Sequence, residues 1–145
     1  MGGVVDEPGP DGHRPAVRVV VADDADGLRE LVCLLLDMES DFEVVGQARD
    51  GEEAVRVVSA TCPDLVLLDV AMPVLDGLTA LPMVRAAAPG VRVVVFTGFP
   101  EVAVAGQAER LGADALLEKG LGSAALVERL RELCRRPPRP LPVTG

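Results

Sequence analysis

The sequence has no tryptophan and no tyrosine, and only three phenylalanines. A core without aromatic rings has to be built from Val, Leu and Ala, which suits a chain that is 49% hydrophobic. Histidine is scarce as well. The only one, His13, lies in a Gly/Pro/Asp-rich stretch, which removes Ser-His-Asp and Cys-His mechanisms and leaves no ordered histidine to carry a phosphoryl group. Cys33, Cys62 and Cys134 are far apart, odd in number and without a Cys-x-x-Cys pair, so they read as reduced, space-filling thiols rather than metal ligands or disulfides. No apolar run approaches the roughly 18 residues of a membrane span. The start, Met1-Gly-Gly-Val-Val-Asp-Glu-Pro, lacks the basic residues and apolar middle of a signal peptide. A cytoplasmic chain with no membrane partner is expected. Positive charge is in deficit, 14 Lys and Arg against 23 Asp and Glu, for a formal −9. Such a chain repels phosphate backbones, so direct DNA binding is excluded. No glycine-rich loop follows the first apolar run, which excludes a nucleotide-binding turn there.

What is present is one domain's worth of alternating patterns in 145 residues. Residues 1–15 read as a disordered leader and 136–145 as a proline-rich tail, with a single domain over 16–135. Val17 to Ala22 is a β-branched strand that ends on Asp23-Asp24. Leu28, Leu31, Val32, Leu35 and Leu36 then recur with helical spacing, predicting a helix from Ala25 to near Met38. A second strand spans Phe42 to Ala48, and Asp50-Gly51 turns into a helix carrying Ala54, Val57, Val58 and Ala60. Pro63-Asp64 stops that helix. Leu65 to Leu68 is a continuous apolar run into Asp69, the pattern of a strand covered on both faces. The turn formers Met72 to Gly77 lead to a helix over Leu78 to Ala88, where Pro82 should kink or shorten it at a cost of up to about 3 kcal/mol. Val91 to Phe96 is a fourth strand ending at Thr97-Gly98. Pro100 opens a weak helix to about Leu111, with Val102, Ala105 and Ala108 as its thin stripe and Gly106 costing roughly 1 kcal/mol against Ala. A short strand, Ala115 to Glu118, ends at Lys119, and a last helix over Ser123 to Arg135 carries Leu126, Val127, Leu130 and Leu133. Five strands alternating with five helices predict an α/β, doubly wound, parallel sheet.

In such a sheet every strand's carboxyl end points to one rim. That rim collects Asp23 and Asp24, Asp69, Thr97 and Lys119. Three clustered carboxylates stay ionised cheaply only beside a cation, and Mg²⁺ answers that need because it takes oxygen ligands and shares its shell with phosphate. Asp69 is then placed to act as a nucleophile toward phosphorus, with Lys119 offsetting charge on the transferred group and Thr97 donating to it. The bland alternative makes Asp23 or Asp24 the N-cap of the following helix and Lys119 a solvated lysine.

With those residues in hand, the chain resembles the receiver domain of bacterial two-component response regulators, of the chemotaxis-regulator-like kind. The resemblance is carried by Asp23-Asp24 after a Val-rich strand, Asp69 in Leu-Leu-Asp-Val-Ala-Met-Pro-Val-Leu-Asp-Gly, Thr97 before a small residue, and Gly-Ala-Asp followed by Lys119, over residues 17–135. It implies a flavodoxin-like sheet of order 2-1-3-4-5. It further implies that Asp69 accepts phosphate from a sensor histidine kinase or phosphotransfer protein. Asp24, Asp69 and the Ala71 carbonyl would bind Mg²⁺, Asp23 mostly through water, while Thr97 and Lys119 sense the phosphoryl group. A downstream protein reads the change, and the chain is a monomer or dimer.

Three positions depart from the family pattern. Leu116 stands where an aromatic residue is usual, so readout must use backbone and aliphatic repacking. Gly120 replaces the usual proline after the lysine. Ala71 and Phe99 occupy positions that influence hydrolysis, and neither orients a water, so a long-lived phosphoryl group is expected. The thin fourth helix, with the fifth strand and last helix, is the expected output surface. With ten residues after Arg135, the chain is either a stand-alone receiver or a piece of a longer regulator. Two alternatives compete: a phosphorylation-independent receiver-like interaction module, and an aspartyl-phosphate phosphohydrolase, which Ala71 disfavours because those enzymes place a second Asp there.

Overall fold

The computed structural model describes residues 15–98 and 102–135; expectations for the leader, the tail, Phe99 and Pro100 fall outside them. Strands and helices alternate: β1 (Val17–Ala22), α1 (Asp26–Asp37), β2 (Phe42–Ala48), α2 (Gly51–Thr61), β3 (Leu65–Asp69), α3 (Gly77–Ala87), β4 (Arg92–Thr97), α4 (Val102–Arg110), β5 (Ala115–Glu118) and α5 (Ser123–Arg135). The five strands form one parallel sheet in the order β2-β1-β3-β4-β5. The expected flavodoxin-like, doubly wound α/β architecture is the one found.

β3 lies at the centre because its run offers apolar groups to both faces. Leu65, Val66, Leu67 and Leu68 are each no more than 1% exposed. Val66 and Leu68 pack with Val58 of α2 and Leu81 and Val84 of α3. Leu65 and Leu67 pack on the other face with Leu36 of α1 and Leu126 and Leu130 of α5. Burial of one such side chain contributes about 1.5–3 kcal/mol, so a charge anywhere in this run would open both layers. The order places β1 beside β3 with the connections leaving in opposite directions, and the crevice at their carboxyl ends is where open α/β sheets hold ligands.

Local chemistry fixes the element ends. Asp50 caps α2 by accepting from the Glu53 amide at 2.8 Å, and Asp76 caps α3 by accepting from Thr79 at 2.8 Å. α2 closes on Cys62 in the left-handed conformation (φ 47°), one residue before the proline expected to stop it. α4 ends in a Schellman motif: Ala113 donates to the Ala108 carbonyl and Gly112, at φ 106°, donates to Glu109.

Several expected details are corrected. The inward stripe of α1 is Arg29, Val32, Cys33 and Leu36, while Leu31 is 49% exposed on an outer face with Leu34 and Met38. The Leu-rich segment offers two apolar faces, and the sheet takes the one that brings Arg29 inward. Ala60 of α2 is exposed. α3 begins at Gly77, continues past Pro82 and ends at Ala87, so the proline does not shorten it. β4 runs one residue later than expected, taking in Thr97. In α4, Val102 is 90% exposed and Ala105 is also exposed; Ala108 is buried and Val104 half-buried. Among the described side chains of that helix, Ala108, near its carboxyl end, is the buried one.

Candidate functional site

Asp23 directly follows β1, and its side chain is fixed twice. One oxygen, Oδ1, accepts from the Ala25 amide at 2.9 Å, and the other meets Lys119 Nζ at 2.7 Å. The bland role as N-cap of α1 is not the one taken: Ala25 is the N-cap residue, with no side-chain hydrogen bond. Asp69 ends β3, and its Oδ1 lies 3.1 Å from the same Lys119 Nζ. Lys119 follows β5 and donates its amide to the Thr97 carbonyl at 2.8 Å. The hydroxyl-bearing and ammonium-bearing residues are thus tied through the main chain. β3 and β4 pair Asp69 with Phe96, which puts Thr97 one step further along the same rim. Asp23, Asp69 and Thr97 are buried, at 2%, 4% and 5% exposure, whereas Asp24 is exposed.

Oxygens of Asp23, Asp24 and Asp69 lie within 4.8 Å of one another. Among the described residues this is the only such acidic trio. Burial, followed by the neighbouring charge of Asp23, raises the Asp69 carboxyl to about 6; Lys119 and the Ala71 amide act in the opposite direction. Burial works against a charged Lys119, but hydrogen bonds and charge from Asp23 and Asp69 outweigh it and hold the ammonium above its ordinary range. One ammonium therefore pairs with two of the three clustered carboxylates. Hard oxygen donors with uncompensated negative charge, open to solvent on the Asp24 side, fit a hard divalent ion such as Mg²⁺ that retains some of its waters. Ala71 is exposed, and its amide hydrogen-bonds to Asp69.

The loop from β3 to α3 closes tightly under Asp69. A Cβ on Gly77 would meet the Asp69 carbonyl oxygen at 1.9 Å, and one on Gly51 would meet the Leu75 carbonyl oxygen at 2.1 Å. Gly77 donates to the Val70 carbonyl and Gly51 to the Leu75 carbonyl, each at 2.9 Å. Val74 sits at φ 68° between Pro73 and Leu75, whose amide donates back to the Pro73 carbonyl at 2.7 Å, a γ-turn costly for a β-branched residue. Leu116 is half-buried against the cluster beneath α2 and α3, and Gly120 is exposed; every described peptide bond is trans.

Sequence reading missed Arg29 and underestimated Gly77. Arg29 is 7% exposed, and its guanidinium donates to the Asp23 carbonyl at 2.9 Å and to Gln47 Oε1 at 3.0 Å. Its signal was a cation at the head of the series 29, 32, 33, 36, inside an amphipathic helix. Gly77 looked like a turn former, but its constraint is contact with a strand end eight residues earlier.

Comparison with known proteins places this geometry in a family. The model for the response regulator receiver domain matches residues 19–131. The chain is 30% identical over 112 residues to the transcriptional regulatory protein LnrK of Bacillus subtilis, covering 77% of this chain and 51% of that protein. It is 38% identical over 101 residues to a protein-glutamate methylesterase/protein-glutamine glutaminase of a Nocardioides species, covering 70% of this chain and 28% of that one. The chain thus spans about half of the first relative and under a third of the second. The signal receiver domain of the putative response regulator NarL from Mycobacterium tuberculosis superposes with a TM-score of 0.79 at 34% identity, covering 83% of this chain and 98% of that one.

Proposed function

The chain belongs to the response regulator receiver domain family, and from that premise we propose that it is a phosphoacceptor whose nucleophile is Asp69. Receiver domains interact with histidine kinases, phosphotransfer proteins and downstream effectors, typically bind Mg²⁺ at an acidic pocket, and are generally not enzymes in their own right. The observation that carries the reading is the convergence of Asp23, Asp24 and Asp69 with Lys119 bridging two of them.

In this reading an Asp69 carboxylate oxygen attacks the phosphorus of a phosphohistidine on the donor protein. The O–P bond forms as the P–N bond breaks, and the electron pair leaves on the imidazole nitrogen, which takes a proton from solvent. Lys119 supplies a fixed positive charge for the oxygens of the transferred group, and Thr97 supplies a hydroxyl. Mg²⁺, held by Asp24, Asp69 and the Ala71 carbonyl with Asp23 acting through water, would neutralise charge on the phosphoryl oxygens.

Transfer replaces the Asp69 carboxylate charge with a phosphoryl group that carries about −1.5 to −2 beside Lys119 and Thr97. Drawing those two groups together moves the ends of β4 and β5, and α4, whose apolar stripe is thin, yields most easily. The surface of α4, β5 and α5 is the output face, read by a cytoplasmic protein partner. With Leu116 in place of an aromatic ring, the readout is aliphatic repacking.

Incubation with acetyl phosphate and Mg²⁺ followed by intact mass tests the reading. Wild type gains one phosphoryl group and Asp69→Asn gains none. With Ala71 and Phe99 at the two positions that influence hydrolysis, neither of which orients a water, the adduct persists, and a half-life of seconds would contradict that. Steady turnover without an adduct would favour a phosphohydrolase, and no change would favour a phosphorylation-independent module.

A further inference from the structure

Arg29 occupies a slot that the geometry of α1 reserves for an apolar residue. It heads the buried series Arg29, Val32, Cys33 and Leu36, and a guanidinium is expensive to bury there unless every donor direction is used. Its partners all lie at the rim. Nη1 donates to the Asp23 carbonyl at 2.9 Å, Nε to Gln47 Oε1 on β2 at 3.0 Å, and Nη2 pairs with Asp26 Oδ1 at 2.8 Å. The Asp23 carbonyl belongs to the peptide that joins Asp23 to Asp24. The side chain of Asp23 is fixed by Ala25 and Lys119, but Asp24 is exposed and takes its direction from that peptide.

We propose that Arg29 is a positioning residue for the divalent-cation site: its guanidinium clamps the Asp23–Asp24 peptide between α1 and β2 and so sets the direction of the Asp24 carboxylate. This rests on the reading of Asp23, Asp24 and Asp69 as the Mg²⁺ ligands. The fork geometry matters because three donors must reach three acceptors on different elements, which a lysine ammonium on a flexible stem does not reproduce. Groups one step removed from a metal typically change its affinity by about 10–100-fold when lost.

The test is a calorimetric titration of MgCl₂ into the full chain, beside thermal unfolding in EDTA. Arg29→Met continues the apolar stripe and is expected to leave the metal-free melting temperature within about 5 °C of wild type while weakening Mg²⁺ binding at least about tenfold. Arg29→Lys is expected to weaken it nearly as much. Gln47→Leu removes the β2 partner alone, and should give a smaller loss in the same direction. Wild-type affinity in Arg29→Met would overturn the proposal. So would full rescue by Lys, which would make the effect one of charge rather than position. If Arg29→Met does not fold, Gln47→Leu and Arg29→Lys decide, and unchanged affinity in both would overturn it. Failure of the underlying reading looks different: wild type itself would bind no Mg²⁺, and the inference would fall with it.

Discussion

The two rims of the sheet carry the same kinds of residue and put them to opposite uses. At the amino-terminal rim Arg18, Arg92 and Arg131 each have a counterpart. Arg18 Nη1 donates to the Thr61 and Cys62 carbonyls at the end of α2, at 2.7 and 2.9 Å, and Asp64 accepts the Arg18 amide at 2.9 Å. Arg92 Nη1 donates to the Cys134 carbonyl near the end of α5 at 2.9 Å. Arg131 grips Asp41 through two nitrogens at 2.6 and 3.0 Å, reaches Glu39, and lies over the Phe42 ring. Cations there meet helix carboxyl ends and carboxylates, which is where they stabilise. At the carboxyl-terminal rim three carboxylates cluster around one lysine that pairs with two of them, and the one that ends the central strand is buried with its carboxyl raised to about 6. Charge alone marks neither rim as functional. Like charges gathered beside too few counter-charges do, because that arrangement costs stability until a ligand compensates it.

The largest effect expected from breaking this contrast is at Asp69. Asp69→Asn should abolish phosphoryl incorporation while stabilising the metal-free fold, by on the order of 1 kcal/mol at neutral pH, in a denaturant titration. The pH dependence has a definite sign. A carboxyl raised from 3.8 to about 6 holds its proton more tightly folded than unfolded, so its contribution is favourable at low pH and is lost as pH rises through that window. Wild type should therefore lose stability relative to Asp69→Asn between about pH 4 and 6, and Mg²⁺ should restore it at neutral pH. A flat difference across that window would break the comparison from the functional side.

At the other rim the expectation reverses. Arg131→Met should cost about 1 kcal/mol of stability, because the pairs are partly exposed, and leave phosphorylation by acetyl phosphate unchanged. The Arg131 hydrogen bond holds the Asp41 carboxyl below its usual range. The stability it gives is present above that range and disappears as pH falls through it, the opposite slope to Asp69. The smallest effect sharpens the picture at the β3–α3 loop of the carboxyl-terminal rim. Val74→Gly should raise stability by up to about 1 kcal/mol, because glycine accepts the left-handed conformation at little cost, measured as a higher denaturant midpoint with an unchanged slope.

Much of this organisation was legible in the sequence, and what was not has a physical reason. β3 and its terminal Asp69 stand out because a fully buried strand needs a run without polar interruption. The four inward residues of α5 are unambiguous because charged residues fill its other face. α1 and α4 were legible in part: Val32, Leu36 and Leu28 of α1 and Ala108 of α4 pack inward as expected, but Leu31 turns outward because α1 has apolar residues enough for two faces, and Val102 and Ala105 of α4 turn outward too. Asp23, Asp24, Thr97 and Lys119 could be gathered at one rim because a parallel sheet makes strand ends convergent. The Lys119 bridge to Asp23 as well as Asp69 was not readable, and neither was the role of Arg29. Both depend on side-chain directions set by packing between elements distant in sequence.

The most direct test of the central claim locates the acyl phosphate chemically. After treatment with acetyl phosphate and Mg²⁺, borohydride reduction converts an aspartyl phosphate to homoserine, and peptide mass mapping finds the position. Homoserine at position 69, absent without Mg²⁺, is the expected result. Homoserine at position 23 or 24, or none at all in a chain shown to be folded, would contradict the account.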